Sequence, residues 1–257
     1  MAEVKVLTKT FAILEFILGK DGAGVVPREI VQEFGITQAT AIRLLKILVE
    51  LGYLEQISRQ KGYVPGPMTY LIRAEKNPYA ELVERLDPVL DRCARECRVL
   101  VSLSGRHHNF RYILKNWNGS GDSIDLARKF RYNDLHKCMT GRLLLAYADK
   151  SEIQDFLKKN GVPKSVPWPE NNTEKNFYAE LDAIRRKQEI TGYYSGCGVA
   201  ALPIFKDGRV IAALGVLWPD ENRKQDVRRL KQLHQFQKEA NELLSGKNLW
   251  YNIGNEV

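Results

Sequence analysis

The sequence predicts a two-domain α+β protein, with a small N-terminal unit of three helices and a β-hairpin ahead of a larger α/β unit. Three observations carry that expectation. Apolar residues recur at helical spacing in three short blocks before Gly52, and glycine closes each block. Two short apolar runs flanking a polar turn follow directly. From Val99 onward the pattern changes to strand-like runs separated by amphipathic stretches. A chain of 257 residues has room for one large domain or two modest ones.

The first helix spans 6–18, where Leu7, Phe11, Leu14, Ile17 and Leu18 fall at helical spacing before Gly19, Gly22 and Gly24 stop it. Pro27 suits the first turn of a second helix, with Ile30, Val31 and Phe34 on one face and Gly35 at its end. Thr37 is placed to cap a third, whose apolar face is Ala41, Leu44, Leu45, Leu48 and Leu51. Segments 53–57 and 63–64 read as the hairpin strands, with 58–62 as their turn. A helical stretch 68–74, a break at Asn77 and Pro78, and an amphipathic helix 79–96 read as an inter-domain linker. In the second unit, 99–105, 110–117, 199–205 and 210–218 read as strands, and 136–148, 151–159, 174–189 and 221–245 as helices. Lys206, Asp207 and Gly208 turn the last strand pair, and the proline-rich segment 162–169 reads as a surface connection.

Composition narrows the class. Hydrophobic residues make up 44% and charged residues 27%, which excludes a mostly disordered chain. No uncharged apolar run reaches the roughly eighteen residues that a membrane-spanning helix needs. Lys9 and Glu15 interrupt the apolar N-terminal stretch, so it does not read as a signal peptide. Four cysteines, Cys93, Cys97, Cys138 and Cys197, are too sparse for a disulfide framework and fit a reducing, cytoplasmic compartment. The net charge of +8 favours polyanionic partners such as nucleic acid, a weak signal by itself.

Three helices, a tight glycine turn between the second and third, and a hairpin after the third constitute a winged helix-turn-helix. One face of the third helix packs; the other is free for the major groove, whose base edges a protruding helix can read. The core positions leave Ala39, Arg43 and Lys46 opposite, flanked by Gln38, Thr40 and Ile42, with Thr37 at the cap. Arg43 suits a guanine edge or a phosphate, Gln38 an adenine edge, and Ala39 or Ile42 a thymine methyl. Arg59 and Lys61 stand at the hairpin tip, where a wing meets the DNA backbone. Segment 36–73 carries five basic residues (Arg43, Lys46, Arg59, Lys61, Arg73) against two acidic ones (Glu50, Glu55) and is net positive.

VPREIVQEFGITQATAIRLLKILVELGYLEQ followed by KGYVPGPMTYL resembles the DNA-binding domain of the IclR-type regulators. In the second unit, LHKCMTGRLLLAY is similar to that family's loop-and-helix segment, and ITGYYSGCGVAALPIFKDGRVIAALGVLW to its final strand pair. The resemblance implies a winged helix-turn-helix over 1–67, linker helices over 68–97, a GAF-like α/β effector-binding domain over 98–246 and a tail over 247–257. It further implies a small-molecule effector, homodimers or dimers of dimers, double-stranded DNA as partner, and control of catabolic genes. Thr40 and Arg43 match the family's recognition-helix pattern, whereas Ala39 and Ile42 stand where a hydroxyl residue and a His or Tyr are usual. The implied effector pocket comprises His136, Cys138, Met139, Thr140 and Gly141 with Cys197, Gly198, Val199 and Ala200. Only five residues separate Gly192 from Gly198, where the family has a longer, acid-containing loop.

Rival readings are weaker. Cys93 and Cys97 share a helix face, which suits buried packing better than a metal site. His107 and His108 fit a solvated turn. His136 and Cys138 open a helix whose dipole is expected to lower the thiol pKa and welcome an anion, favouring ligand binding over nucleophilic catalysis. Arg223, Lys224, Arg228, Arg229 and Lys231 read as the solvated side of a helix that packs through Val227, Leu230, Leu233 and Phe236. Trp250 and Tyr251 dock or are disordered. No enzyme activity, cofactor or resident metal is expected. The alternative function is a metabolite or metal sensor acting through protein–protein contacts.

Overall fold

Helix ends in the N-terminal unit follow local chemistry. The computed structural model describes residues 5–20, 22–74, 78–119, 131–165, 167–194, 196–219 and 226–245. It divides into two compact units that part between Asn77 and Pro78. The first contains α1 (Lys5–Leu18), α2 (Pro27–Phe34), α3 (Gln38–Glu50), β1 (Leu54–Ser58), β2 (Gly62–Pro65) and α4 (Pro67–Ala74). Glu29 reaches back to accept the Val26 backbone N–H at 2.9 Å. Gly35 ends α2 in the left-handed region at φ 58°. Thr37 caps α3, accepting the Thr40 N–H at 3.3 Å.

Ile13, Leu14, Ile17, Ile30, Ala41, Leu44, Leu45, Leu48, Leu54 and Tyr63 are buried together as the core of this unit. Two expectations fail here. Leu51 is 58% exposed, because α3 ends at that residue and Gly52 turns the chain at φ 76°. Leu7 and Phe11 are also more than half exposed, since burial on α1 is confined to Ile13, Leu14 and Ile17. The wing is tied to the turn before α2 by paired backbone bonds: Val25 N–H to the Tyr63 carbonyl and Tyr63 N–H to the Val25 carbonyl, each 2.9 Å. That approach requires two glycines. A Cβ on Gly24 would lie 1.8 Å from the Lys61 carbonyl oxygen, and one on Gly62, at φ 77°, would lie 2.3 Å from that of Val25.

The second unit contains α5 (Pro78–Cys97), β3 (Leu100–His107), β4 (Phe110–Asn118), β5 (Arg131–Tyr132), α6 (Met139–Ala146), α7 (Lys150–Asn160), α8 (Glu174–Lys187), β6 (Ile190–Tyr194), β7 (Cys197–Lys206), β8 (Arg209–Pro219) and α9 (Asp226–Leu244). Its sheet runs β5-β4-β3-β8-β7-β6 with antiparallel pairings throughout. Asp207 and Gly208, both at positive φ, make the β7–β8 turn. Side chains alternate across the sheet. One face, with Val101, Leu103, Leu202, Leu214, Val216 and Trp218, buries α5 and α9. The other, with Ala201, Ala213 and Ile190, meets the cluster of α6, α7 and α8.

Segment 68–97, expected as linker, divides between the two units. α5 buries Leu82, Leu86, Leu90, Cys93 and Cys97 in the second core, so both cysteines pack as small apolar groups. Trp168 corrects the surface reading of 162–169. It is 6% exposed and tilts against Phe177, because the loop folds its one large apolar side chain into the α6–α8 cluster. On α9, Leu233, Phe236, Ala240 and Leu244 are buried while Val227 is 63% exposed, in the first turn of the described helix. Arg229 covers the Trp218 ring; Arg228 and Lys231 are exposed, and Arg223, Lys224, Trp250 and Tyr251 lie outside the described residues. The short strands β5 and β6 were not anticipated, having no clear alternation of their own.

Asp87 joins α5 to the sheet. It accepts the Trp117 indole N–H at 2.7 Å and a hydrogen bond from the Lys115 ammonium. Lys115 first, then Trp117, hold its carboxyl below the ordinary carboxylate range. A depressed folded-state pKa contributes stability that is present above the unfolded value of about 4 and lost as pH falls through the folded value. Thermal melts of wild type and Asp87→Asn from pH 7 to pH 3 are therefore expected to converge at the acid end. A constant gap across that range would contradict this role for Asp87.

Candidate functional site

In the first unit, packing of Ala41, Leu44, Leu45 and Leu48 against α2 and β1 fixes which side of α3 faces outward. Gln38, Ala39, Arg43 and Lys46 are exposed, and Thr40 and Ile42 are half-buried at the edges. The Thr37 and Thr40 hydroxyls lie 2.9 Å apart and satisfy each other as part of the cap. Ile47, 41% exposed one turn beyond Arg43, also belongs to this face and was not anticipated. Its i+4 spacing from Arg43 was the available signal. At the wing, Arg59 and Lys61 are exposed, and the Lys61 N–H donates to Ser58 Oγ at 3.0 Å, tightening the tip. Two separate basic projections, a helix and a hairpin tip, thus leave one small framework. This is the form in which a protein reads a groove and grips the phosphates beside it.

In the second unit the expected effector residues do not share one surface. Register places Val199 opposite Gly192 and Leu217, and Ala201 opposite Gly215, so Val199 and Cys197 face α6. Gly198 and Ala200 face the α5–α9 core instead; a Cβ on Gly198 would stand 2.2 Å from Trp218 Nε1. His136 also turns away, its ring centroid 5.8 Å from that of Phe156 in the α6–α8 cluster. Its carbonyl accepts the Trp168 indole N–H at 2.6 Å, and burial, with the nearby Lys137 charge, lowers its pKa. Met139 and Thr140 do cover the sheet. A Cβ on Gly192 would lie 2.9 Å from Met139 Cε, and one on Gly215 would lie 2.6 Å from both Thr140 Cγ2 and Ser102 Oγ. Gly141 is buried behind them, close against Leu135 and Cys138.

Residues not anticipated complete this face. Ser102 stands opposite both Asn116 and Gly215, and Ser104 follows it two positions on. Arg111, 7% exposed, forks onto Asp134 through Nε (3.0 Å) and Nη2 (2.7 Å), donates to Ser104 Oγ at 3.3 Å and lies over the Tyr132 ring. The alternation of Ser102 and Ser104 with Val101 and Leu103 was a legible sign of a strand with one polar face. Nothing local announced the Arg111–Asp134 pair, whose members are 23 residues apart.

Cys138 caps α6, accepting the Gly141 N–H at 3.3 Å. The expected lowering of its pKa is overturned: burial pushes the thiol up, more than Arg111 draws it down. Iodoacetamide near pH 7.5 is accordingly expected to alkylate Cys197 well before Cys138, as read by peptide mass spectrometry. His107 and His108 are exposed at the β3–β4 turn. Among the described residues, no three His, Cys, Asp or Glu side chains converge to hold a metal ion, and no helix is long and apolar enough to cross a membrane.

The IclR helix-turn-helix domain model matches residues 6–58, and the model for the bacterial transcriptional regulator IclR C-terminal domain matches 78–244. The chain is similar to the HTH-type transcriptional regulator KdgR of Dickeya chrysanthemi, 22% identical over 220 residues, covering 84% of this chain and 71% of that one. KdgR of Escherichia coli K12 is likewise 22% identical, with 84% and 82% covered. Among solved structures, an IclR homolog from Microbacterium hydrocarbonoxydans, complexed with 4-hydroxybenzoate, superposes with TM-score 0.72 at 21% identity, covering 93% of this chain and 98% of that one. The Thermotoga maritima IclR gives 0.61 at 20% identity, with 94% and 99% covered. With both of its units matched in order, the chain belongs to the IclR family of DNA-binding transcriptional regulators.

Proposed function

We propose that this chain is a ligand-responsive, sequence-specific regulator that binds its operator as a homodimer or dimer of dimers and controls catabolic genes for a small organic compound. The observation that carries the reading is α3, whose apolar side is locked into the core while Gln38, Ala39, Arg43 and Lys46 stand free beside a basic wing tip. The face of Ser102, Asn116, Cys138, Met139, Thr140, Cys197 and Val199 is the effector surface. The relative complexed with 4-hydroxybenzoate supports a small organic ligand for a protein of this fold. An effector changes operator affinity only through unequal affinity for two states of the regulator. A coupling of ~1–3 kcal/mol gives a 5- to 150-fold change.

The test is fluorescence anisotropy of a duplex from upstream of the protein's own gene against a scrambled duplex, at two salt concentrations. Preference for the upstream duplex of about a hundredfold or more, weakening steeply with salt, is the expected result. Equal, weak binding to both duplexes, and to others tiled across the neighbouring promoters, would remove sequence-specific regulation.

A further inference from the structure

We propose that Asn116 reads an uncharged hydrogen-bond donor on the effector, a hydroxyl or N–H group, and passes its occupancy to α5. The proposal rests on the effector-surface reading above and adds the chemistry that surface selects. Among the described residues, Asn116 Oδ1 is sealed from solvent and has no hydrogen-bond partner. Such an acceptor is costly to leave unmade, so a state in which a donor reaches it is favoured over the closed one. Its position is defined by the sheet: Asn116 lies opposite Ser102, which lies opposite Gly215, where Ser102 Oγ and Thr140 Cγ2 crowd the same point.

The neighbouring groups argue for an uncharged donor at this point. The Arg111 guanidinium is committed to Asp134 and Ser104, so its charge is already matched. Ser102, Thr140 and the Cys138 thiol are neutral. An oxyanion placed against Asn116 Oδ1 would meet another acceptor; a hydroxyl or N–H completes it.

The route outward is built into β4. Lys115 and Trp117, on either side of Asn116, point to the opposite face and hold Asp87 of α5. α5 begins at Pro78, where the second unit starts. A ligand that draws Asn116 toward itself therefore acts on the strand that grips the first helix of this unit.

Matched probe pairs test this on the full chain by thermal shift and calorimetry: 4-hydroxybenzoate with benzoate, 3-hydroxybutyrate with butyrate, and lactate with propionate. In the wild type, at least one hydroxy compound is expected to bind about tenfold more tightly than its deoxy partner, the order expected for one buried hydrogen bond. Asn116→Leu is expected to melt at or above the wild-type temperature without probe, since the orphaned acceptor is gone, and to lose that discrimination. Asn116→Asp, which keeps an acceptor, retains it. If no pair is distinguished by the wild type, or Asn116→Leu still discriminates, the proposal is overturned. Operator anisotropy of the probe-free wild type judges the regulatory reading separately: specific DNA binding with no discrimination between probes defeats the Asn116 assignment alone.

Discussion

Gly62→Val is expected to lower the stability of the N-terminal unit by about 3 kcal/mol or more. Two costs add. Holding a branched side chain at φ 77° costs about 1–2 kcal/mol, because its Cβ crowds the carbonyl in the left-handed region. The new Cβ would also sit 2.3 Å from the Val25 carbonyl oxygen, which is backbone and already bonded to Tyr63 N–H. Relief requires the wing to leave the turn before α2, giving up two backbone hydrogen bonds. Calorimetric melting measures the loss. A companion Gly35→Ala change, at positive φ but with nothing near the added Cβ, is expected to cost only the backbone part. Equal losses at the two glycines would show that the wing's close approach carries no weight.

Arg43→Ala is expected to weaken operator binding by about 1–3 kcal/mol while leaving the melting temperature within error. Arg43 is exposed on α3, opposite the buried Leu44, Leu45 and Leu48, so truncation removes a contact to DNA without opening a cavity. Base-edge and phosphate roles give different signatures. If Arg43 forks onto a guanine, the variant loses preference at that operator position; if it meets a phosphate, affinity falls uniformly and the salt slope shrinks by about one. Lys61→Ala at the wing tip is the phosphate-type comparison. An Arg43→Ala protein that binds as tightly as wild type would mean that α3 is not the reading helix.

Local chemistry made the first unit legible from the sequence. Thr37 as a cap, Gly35 and Gly52 as helix stops, and the glycine-bounded hairpin act within a few residues of themselves, so spacing alone predicts them. The four strands with long apolar runs, and the turn at Asp207 and Gly208, were legible for the same reason. The family pattern also named Met139 and Thr140, which do cover the sheet.

Tertiary structure decided what depends on partners distant in sequence. β8 inserts between β3 and β7, and that order determines that Val199 faces α6 while Gly198 and Ala200 face α5 and α9. A shift of one residue in strand register reverses which side chain faces which layer, and no spacing rule within β7 chooses between the two. The same dependence explains why Phe11 and Val227 are exposed although their spacing is apolar, and why Trp168 is buried although its loop is proline-rich. Burial belongs to the neighbour that arrives, not to the residue. Spacing, caps and turn glycines were enough to specify a winged helix-turn-helix with Arg43 outward and an α/β domain behind it. Only the folded sheet brought Ser102, Asn116 and Thr140 together and paired Arg111 with Asp134, because those contacts join strands and a helix whose meeting is settled by the packing of the whole second unit.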